Sequence, residues 1–271
     1  MGFKCGIVGL PNVGKSTLFN ALTNSSKAQA GNFPFCTIEP NVGVVPVLDN
    51  RLDKLFEISK SKKKIYTTIT FLDIAGLVKG ASKGEGLGNK FLSHIREVDA
   101  IVHLLRCFDS DDIQNVNKDV NPIRDLDIIE TEMKLADLES IGKRIDKKNL
   151  KKITDDELNI LKTTEDYINK DKDLNDLRNL FDLDLINKSG LLSLKPKLYV
   201  CNVDEKSIST GNKYSKEVQK NKKIDNTILV SAEIENQINQ LENNDKKNFM
   251  ELMNIEKTGL NYLIEYNQPN A

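Results

Sequence analysis

The sequence predicts an α/β protein with a doubly wound, mostly parallel sheet that carries helices on both faces. Three observations predict it. Short apolar runs of strand length recur along the 271 residues, helical patterns separate them, and a charge-rich helical region interrupts the series once. Continuous apolar runs are typical of strands buried on both faces, as in a parallel sheet between two helix layers.

Six segments have the length and composition of such strands. They are residues 4–9, 42–47, 66–73, 100–108, 197–202 and 227–231. Helical patterns follow the first segment, at Leu18 and Leu22, and the second, at Leu52 and Phe56. Because ligands of such sheets lie at the carboxyl ends of the strands, we expect the functional residues there.

The region between Asp127 and Leu191 has a helical period and many charges. A stripe on a first helix consists of Ile128, Glu132, Leu135, Leu138, Ile141 and Ile145. A second helical run contains Leu158, Leu161, Ile168, Leu174 and Leu177. We predict an antiparallel helical hairpin at 128–191, inserted into a domain made of residues 1–127 and 192–271. Two interpretations stay open, a docking arm for a partner or a surface excursion that stabilises only itself.

The composition argues against several classes of protein. Lysine plus arginine (39) nearly balances aspartate plus glutamate (40), so the net charge encodes no general attraction to nucleic acid, although short basic runs occur at 60–64, 143–152 and 220–223. Four scattered cysteines without a C-x-x-C pair indicate neither a zinc site nor a disulfide framework. No apolar run is long enough to span a bilayer, so we expect a cytoplasmic protein without a membrane partner. The sequence leaves the oligomeric state undetermined.

A phosphate-binding motif follows the first strand. Residues 9–16, GLPNVGKS, match G-x-x-x-x-G-K-S between a strand and a helix, which is the context that this P-loop requires. Backbone N–H groups wrap the phosphates in such a loop, the helix N-terminus attracts them, and Lys15 neutralises the β and γ oxygens. Ser16 is expected to bind Mg²⁺. The motif predicts a magnesium-dependent nucleoside triphosphatase.

The third strand supplies the partner of this motif. It closes on Asp73, a carboxylate placed to bind Mg²⁺, and Gly76 follows to complete D-x-x-G. The backbone N–H of Gly76 is expected to contact the γ-phosphate, so that the next segment responds to hydrolysis. Thr37 is the candidate for a second hydroxyl ligand of Mg²⁺.

The fifth strand leads into a candidate base-binding loop. Asn202-Val203-Asp204-Glu205 stands where GTPases of this architecture have N-K-x-D, and Ser231-Ala232 resembles their S-A-K loop. Guanine offers two donors to a short carboxylate and adenine offers neither, and each mispaired buried polar group costs roughly 1–3 kcal/mol. The longer Glu205, and Val203 in place of lysine, disfavour strict guanine specificity without proving a preference for adenine.

The chain closely resembles the YchF family, the Obg-like ATPases of the translation-factor-related P-loop class. The resemblance is carried by GFKCGIVGLPNVGKST at 2–17, NFPFCTIEPN at 32–41 and DIAGLVKGASKGEGLG at 73–88. It implies ATP preferred over GTP and association with ribosomes in the cytosol. By position, it also implies phosphate contacts from residues 12–17, namely Asn12, Val13, Gly14, Lys15, Ser16 and Thr17. Val203 would lie against the base, and Ser16 and Thr37 would hold Mg²⁺.

Three departures from the family limit what carries over. The chain stops at Ala271, before the C-terminal TGS module that the family usually has, which weakens the expectation of a ribosome partner. Asn115 stands where the family often has a histidine implicated in hydrolysis, and the helical region is divergent. Of the two histidines present, His103 lies in an apolar strand and is predicted to be a core residue.

Hydrolysis is expected to be slow without help. Leu77 occupies the position directly after D-x-x-G where Ras-like GTPases have a water-orienting glutamine. We therefore expect Lys15 and Gly76 to stabilise the transition state, with K⁺ held partly by Asn12 as a further source of positive charge. The alternative for Asn12 is a purely structural cap of the loop.

The sequence leaves two other functions open. The chain could be a nucleotide-gated binding or scaffold protein in which hydrolysis is incidental, or a P-loop small-molecule kinase. The kinase is disfavoured because the D-x-x-G segment is intact and no lid for an acceptor substrate is evident.

Overall fold

The computed structural model describes residues 2–23, 41–47, 49–75, 86–110, 119–146, 153–221, 224, 226–241, 243–253, 255 and 257–266. The strands are β1 Phe3–Val8, β2 Asn41–Pro46, β3 Thr68–Asp73, β4 Ala100–Cys107, β5 Lys197–Val203 and β6 Thr227–Val230. The helices are α1 Lys15–Thr23, α2 Asn50–Ser59, α3 Gly86–Arg96, α4 Pro122–Ile145, α5 Asp155–Asn169, α6 Leu177–Leu180, α7 Leu183–Ser189, α8 Lys213–Lys220, α9 Ala232–Gln240, α10 Asn243–Leu252 and α11 Gly259–Tyr266. Each strand overlaps a predicted segment.

The described strands form one sheet in the order β2-β3-β1-β4-β5-β6. The pairs that involve β1, β4, β5 and β6 are parallel, and β2 is antiparallel to β3 at one edge. The prediction of a mostly parallel, doubly wound sheet is therefore confirmed. In register, Ile7 of β1 lies opposite Asp73 of β3, so the carboxyl ends of these two strands are neighbours.

The central strand β4 has the nearly continuous apolar pattern of a strand that is covered on both faces. Every residue of β4 is buried, which is the pattern expected of a parallel strand covered on both faces. Leu18 and Leu22 of α1 and Phe91 and Ile95 of α3 belong to the same core cluster as β1 and β4. This core fixes the loops that follow the strands.

The buried face of α4 differs from the predicted stripe. Glu132 and Ile141 are buried as predicted, but Leu135 is 42% exposed. The face that is buried instead consists of Leu126, Ile129, Glu132, Met133, Ala136, Asp137 and Ile141. The reason is tertiary. The Asp137 carboxylate accepts hydrogen bonds from the backbone N–H groups of Leu192 and Ser193, both at 2.8 Å, and this turns Asp137 inward.

The helical region contains more than two helices. α5 packs on α4, and a 3-10 turn at Leu174–Asp176 leads into the short helices α6 and α7. Their buried side chains form a cluster separate from the sheet core: Ile141, Ile160, Leu161, Leu177, Ile186, Leu191 and Leu194. Arg144 fastens this cluster by donating to the carbonyl of Ser189 at 2.6 Å and by pairing with Glu157. The domain boundaries at 128 and 191 remain a prediction. No helix in the described ranges is long and apolar enough to cross a membrane.

His103 lies in the interior of the sheet, as predicted. Its side chain is 1% exposed, and its ring centroid is 5.8 Å from that of Tyr199. Neither ring nitrogen has a hydrogen-bond partner among the described residues. Burial lowers the pKa of His103 to about 4, with opposing smaller effects from the nearby Glu130 and Lys197. The imidazole is therefore neutral at pH 7.

Replacing His103 is expected to change the pH dependence of stability. The folded protein holds the pKa of His103 near 4, whereas the unfolded chain has the ordinary value of about 6.5. The unfolded state therefore binds more protons than the folded state between these pH values. As the pH is lowered through this window, the free energy of unfolding decreases by about 3 kcal/mol in total. Urea unfolding at intervals from pH 7 to 4 measures it. His103→Leu should lose less stability over this range than the unmodified chain, and equal losses would contradict the assignment.

Candidate functional site

The loops that carry the predicted site residues lie at one edge of the sheet. They follow β1, β3, β5 and β6, and the parallel pairing of β1, β4, β5 and β6 brings their carboxyl ends to the same side. The loops are the P-loop at 9–14, the end of β3 at Asp73, the segment 202–205 and the pair Ser231-Ala232. The topology therefore assembles what the sequence had placed far apart in the chain.

The backbone conformation of the P-loop explains why residues 12 and 14 are asparagine and glycine. Gly14 has φ +90° and Asn12 has φ +64°, both in the left-handed region that glycine and asparagine tolerate best. A Cβ on Gly14 would come within 2.3 Å of the Asn202 side-chain nitrogen. The first helical hydrogen bond of α1 joins the Leu18 N–H to the Gly14 carbonyl at 2.9 Å. The N-terminus of α1 thus begins directly at the loop, where it can attract an anion.

Lys15 and Asp73 meet in this site. The Lys15 ammonium forms an ion pair with one oxygen of the Asp73 carboxylate, and the two side chains are only 12% and 7% exposed. Asn41, at the start of β2, donates its side-chain amide to the other oxygen at 3.4 Å. Asn41 was not predicted as a site residue, because only the antiparallel pairing of β2 with β3 brings it beside Asp73.

The donor set at Asp73 fits Mg²⁺. This ion is usually held by one or two carboxylates together with substrate phosphates and waters, rather than by a cage of protein ligands. Asp73 supplies one buried carboxylate, and the exposed Ser16 lies in the first turn of α1, directly after the P-loop. No cluster of three or more His, Cys, Asp or Glu side chains suited to a metal occurs in the described residues. These residues suit a Mg²⁺ ion that arrives with a phosphate ligand.

Asn202 joins three loops of the site. Its side-chain nitrogen donates to the Val13 carbonyl at 2.9 Å, and its side-chain oxygen accepts from the Ala232 N–H at 3.0 Å. The side chain is 5% exposed. The sequence predicted contact with a base, and the structure shows both ends of the amide engaged with protein. Asn202 therefore holds the P-loop, the 202–205 segment and the Ser231-Ala232 loop in fixed relation.

The remaining predicted residues of the 202–205 and 231–232 loops have different environments. Val203 is buried, whereas Glu205 is exposed and its carboxylate accepts from Gln237 of α9 at 3.4 Å. Ser231 is buried and caps α9 by accepting from the Ile234 N–H at 3.4 Å. Ser231 thus has a structural role, and its Ala232 neighbour supplies the N–H that Asn202 uses.

A cavity of about 640 Å³ opens beside the 202–205 segment. It is lined by Asp109, Asp204, Glu205, Lys206, Asn212, Lys213 and Tyr214. Asp109, Asn212 and Tyr214 were not singled out in the sequence because no motif includes them. They meet only because the ends of β4 and β5 and the start of α8 are neighbours.

Several predicted residues lie outside the described part of the chain. These are Thr37, Gly76, Leu77 and Asn115. Their proposed roles in magnesium binding, γ-phosphate contact and hydrolysis remain predictions.

The chain is similar to proteins of known name. A family described as "50S ribosome-binding GTPase" matches residues 4–135. A protein of Pasteurella multocida named "Ribosome-binding ATPase YchF" is 47% identical over 97% of this chain and 74% of its own length. The protein of the same name from Bacillus subtilis is 45% identical over 98% of this chain and 75% of its own length.

A solved structure agrees with these relatives. The Schizosaccharomyces pombe YchF GTPase is 36% identical, covers 98% of this chain and 74% of its own, and superposes with a TM-score of 0.70. The matched region therefore extends over nearly the whole chain. Taken with the geometry of the P-loop and Asp73, this similarity shows that this chain belongs to the YchF family of P-loop nucleoside triphosphate hydrolases.

Proposed function

We propose that this chain binds ATP with Mg²⁺ and hydrolyses it to ADP and phosphate, as a nucleotide-controlled switch that associates with ribosomes. GTP is the weaker substrate. The observation that carries the proposal is the buried contact of Lys15 with Asp73 at the mouth of the P-loop. In this proposal, Lys15 is the cation that neutralises phosphate and Asp73 is the carboxylate that holds Mg²⁺, so the two roles fall within a single site.

The Lys15–Asp73 pair prepares the site for a triphosphate. On binding, Lys15 exchanges one anionic partner, the Asp73 carboxylate, for another, the β- and γ-phosphate oxygens. Asp73 is then available, with the Ser16 hydroxyl, to hold Mg²⁺, which when bound neutralises charge on the same oxygens. Both side chains are mostly shielded from water, so their electrostatic effect on phosphate exceeds that of exposed groups.

The base is selected by the 202–205 and 231–232 loops in this proposal. Asn202 links the 202–205 segment to the Ser231-Ala232 loop, and Glu205 is an exposed carboxylate of that segment. A glutamate is one methylene longer than the aspartate of N-K-x-D, so it does not present its oxygens where guanine has its N1–H and N2–H₂ donors. This disfavours GTP and supports ATP.

Ribosome association is proposed from the relatives. Two curated relatives carry the name "Ribosome-binding ATPase YchF", and the matching family is described as ribosome-binding. A switch of this class changes partner affinity when the γ-phosphate is lost. Co-sedimentation of the chain with ribosomes in non-hydrolysable ATP analogue and in ADP tests it. Equal pelleting in the two nucleotides would refute the switch.

Removing the charge of Asp73 is expected to reduce hydrolysis by about 100-fold or more, because a buried group that organises transition-state charge is lost. Asp73→Asn keeps the shape and should raise the Mg²⁺ concentration needed for half-maximal activity. Lys15→Ala should abolish triphosphate binding. Lys64→Met is the matched control, since it breaks the partly exposed Lys64–Asp53 ion pair at 2.7 Å, which includes neither Lys15 nor Asp73. The rate of phosphate release measures the activity of all three variants. Full activity in Asp73→Asn would contradict the assignment of Asp73 to Mg²⁺ binding.

Shortening Glu205 is expected to move the preference towards GTP. The unmodified chain should bind ATP about tenfold more tightly than GTP, a difference of about 1.4 kcal/mol. Glu205→Asp should bring the two dissociation constants to within about threefold, a shift of roughly 0.7 kcal/mol. Glu217→Asp makes the same change on the exposed face of α8 and should leave the ratio unaltered. Titration with fluorescent ATP and GTP analogues measures it, and an unmodified chain that favours GTP would refute adenine selection.

A potassium requirement is the last part of the proposal. Asn12 lies in the left-handed region with φ +64°, so glycine can replace it without straining the loop. Hydrolysis should be faster in K⁺ than in Na⁺, because the cation supplies charge that an arginine would otherwise provide. Asn12→Gly should lose this difference while it still binds ATP. Equal rates in the two salts, or a variant that keeps the stimulation, would exclude a role for Asn12 in holding K⁺.

A further inference from the structure

Asn212 precedes α8, and its side chain contacts three separate elements. Its oxygen accepts from the N–H groups of Tyr214 and Ser215, both at 3.1 Å, which caps the helix. Its nitrogen donates to the carbonyl of Cys107, the last residue of β4, at 2.6 Å. The same nitrogen lies 3.4 Å from the carboxylate of Asp204, in the 202–205 segment.

We propose that Asn212 is a positioning residue for nucleotide recognition, which holds the 202–205 segment at the orientation needed to select the base. The proposal rests on the proposed function, in which this segment contacts the base. Asn212 would act through Asp204 and the end of β4, without touching the nucleotide itself.

The contacts within the segment do not fix its orientation by themselves. Asp204 precedes a 3-10 turn at Glu205–Ser207, in which the Ser207 N–H donates to the Asp204 carbonyl at 3.0 Å. The Ser207 hydroxyl donates to the Asp204 carboxylate at 2.9 Å. These bonds keep the turn together but connect it to nothing outside. Asp204, Glu205 and Lys206 are all exposed.

Two asparagines connect the segment to the rest of the site, one at each side. Asn202 reaches the P-loop at Val13 and the neighbouring loop at Ala232. Asn212 reaches β4 at Cys107, which lies opposite Val203 in the parallel register of β4 and β5. These two amides thus hold the two sides of the turn that carries Glu205, in addition to the 3.4 Å hydrogen bond from Gln237 of α9 to the Glu205 carboxylate.

Helix capping alone does not explain an asparagine at 212. A cap needs only an acceptor, and aspartate and serine cap helices about as well as asparagine. Ser215 already completes the capping box by accepting from the Asn212 N–H at 2.9 Å. The side-chain N–H₂ donor is the feature that aspartate and serine lack, and the structure uses it on Cys107 and Asp204.

A second contact holds the start of α8 to the segment after β4. The Tyr214 hydroxyl donates to the Asp109 carboxylate at 2.7 Å, and this hydrogen bond raises the pKa of Tyr214, so the hydroxyl keeps its proton. Lys213 lies over the Tyr214 ring, 4.5 Å from its centroid, and 3.8 Å from Asp109. These contacts hold the N-terminus of α8 in place, and Asn212 lies directly before it. Asn212 is therefore well placed to position Asp204.

Two variants test the proposal. Asn212→Ser keeps the cap and is too short to reach Cys107, and Asn212→Asp keeps the cap but presents an acceptor to the Cys107 carbonyl and the Asp204 carboxylate. Fluorescent ADP and GDP analogues report binding without any need for hydrolysis. Both variants should bind the adenine nucleotide about fivefold more weakly, the loss expected of roughly one hydrogen bond. The ratio of adenine to guanine affinity should fall with it, while kcat for ATP stays unchanged.

The matched control is Asn121→Ser. Asn121 caps α4 by accepting from the Arg124 N–H at 2.9 Å, so the same substitution is made at a cap that does not contact the 202–205 segment. It should leave both nucleotide affinities unchanged. Thermal unfolding of all three variants verifies that each is folded at the assay temperature, and Asn212→Asp replaces Asn212→Ser in the comparison if only the latter unfolds.

The outcomes separate this proposal from the proposed function. Unchanged adenine affinity and selectivity in both Asn212 variants, or the same loss in Asn121→Ser, would overturn the positioning role while ATP hydrolysis by the unmodified chain stands. A fall in kcat with unchanged affinity would also overturn it. An unmodified chain that binds adenine nucleotide but does not hydrolyse ATP would contradict the proposed function alone. Binding of neither nucleotide would overturn both.

Discussion

The amide of Asn202 is the contact on which the geometry of the candidate site depends. It is nearly inaccessible to water, and its oxygen and its nitrogen each have a backbone partner, at Ala232 and Val13. Leaving either end of a buried amide without a partner costs about 1–3 kcal/mol. Separation of the P-loop, the 202–205 segment and the Ser231-Ala232 loop would therefore be unfavourable by at least this amount. Gly14 is part of the same constraint, because a side chain there would occupy the position of the Asn202 nitrogen.

The Lys15–Asp73 ion pair places one positive and one negative charge, both largely buried, in the candidate site. Two charges with little solvent around them are stable only together, and removal of one partner from a buried pair typically costs about 3–5 kcal/mol. A triphosphate with Mg²⁺ supplies a new partner for each charge, so in the proposed function its binding separates the pair without leaving either charge bare. The site is thereby matched to an anion and a cation that arrive together.

The helical region shows how a single buried carboxylate can determine a helix orientation. Asp137 is 1% exposed, and burial raises its pKa although Ser193 and Leu192 donate to it. Its three hydrogen bonds attach α4 to the segment before β5, and they include the Ser193 hydroxyl at 2.6 Å. The first half of α4 thus belongs to the sheet core through Ile129 and Met133, and its last turns belong to the separate cluster at Ile141.

The sequence by itself determined the class of fold, the strand segments, the P-loop motif, the position of Asp73 at the end of a strand and the burial of His103 in the core. These follow from local features: uninterrupted apolar runs, the glycine spacing of G-x-x-x-x-G-K-S, and a lysine at the start of a helix. Tertiary structure alone decided which face of α4 is buried, that Asn202 joins loops, and that Asn41 contacts Asp73 and Asn212 contacts Asp204. Each of these depends on a partner far away in the chain, such as the Val13 carbonyl for Asn202 or the Cys107 carbonyl for Asn212. A hydrogen bond across 189 residues or 105 residues has no local signature, because it exists only after the strands have paired.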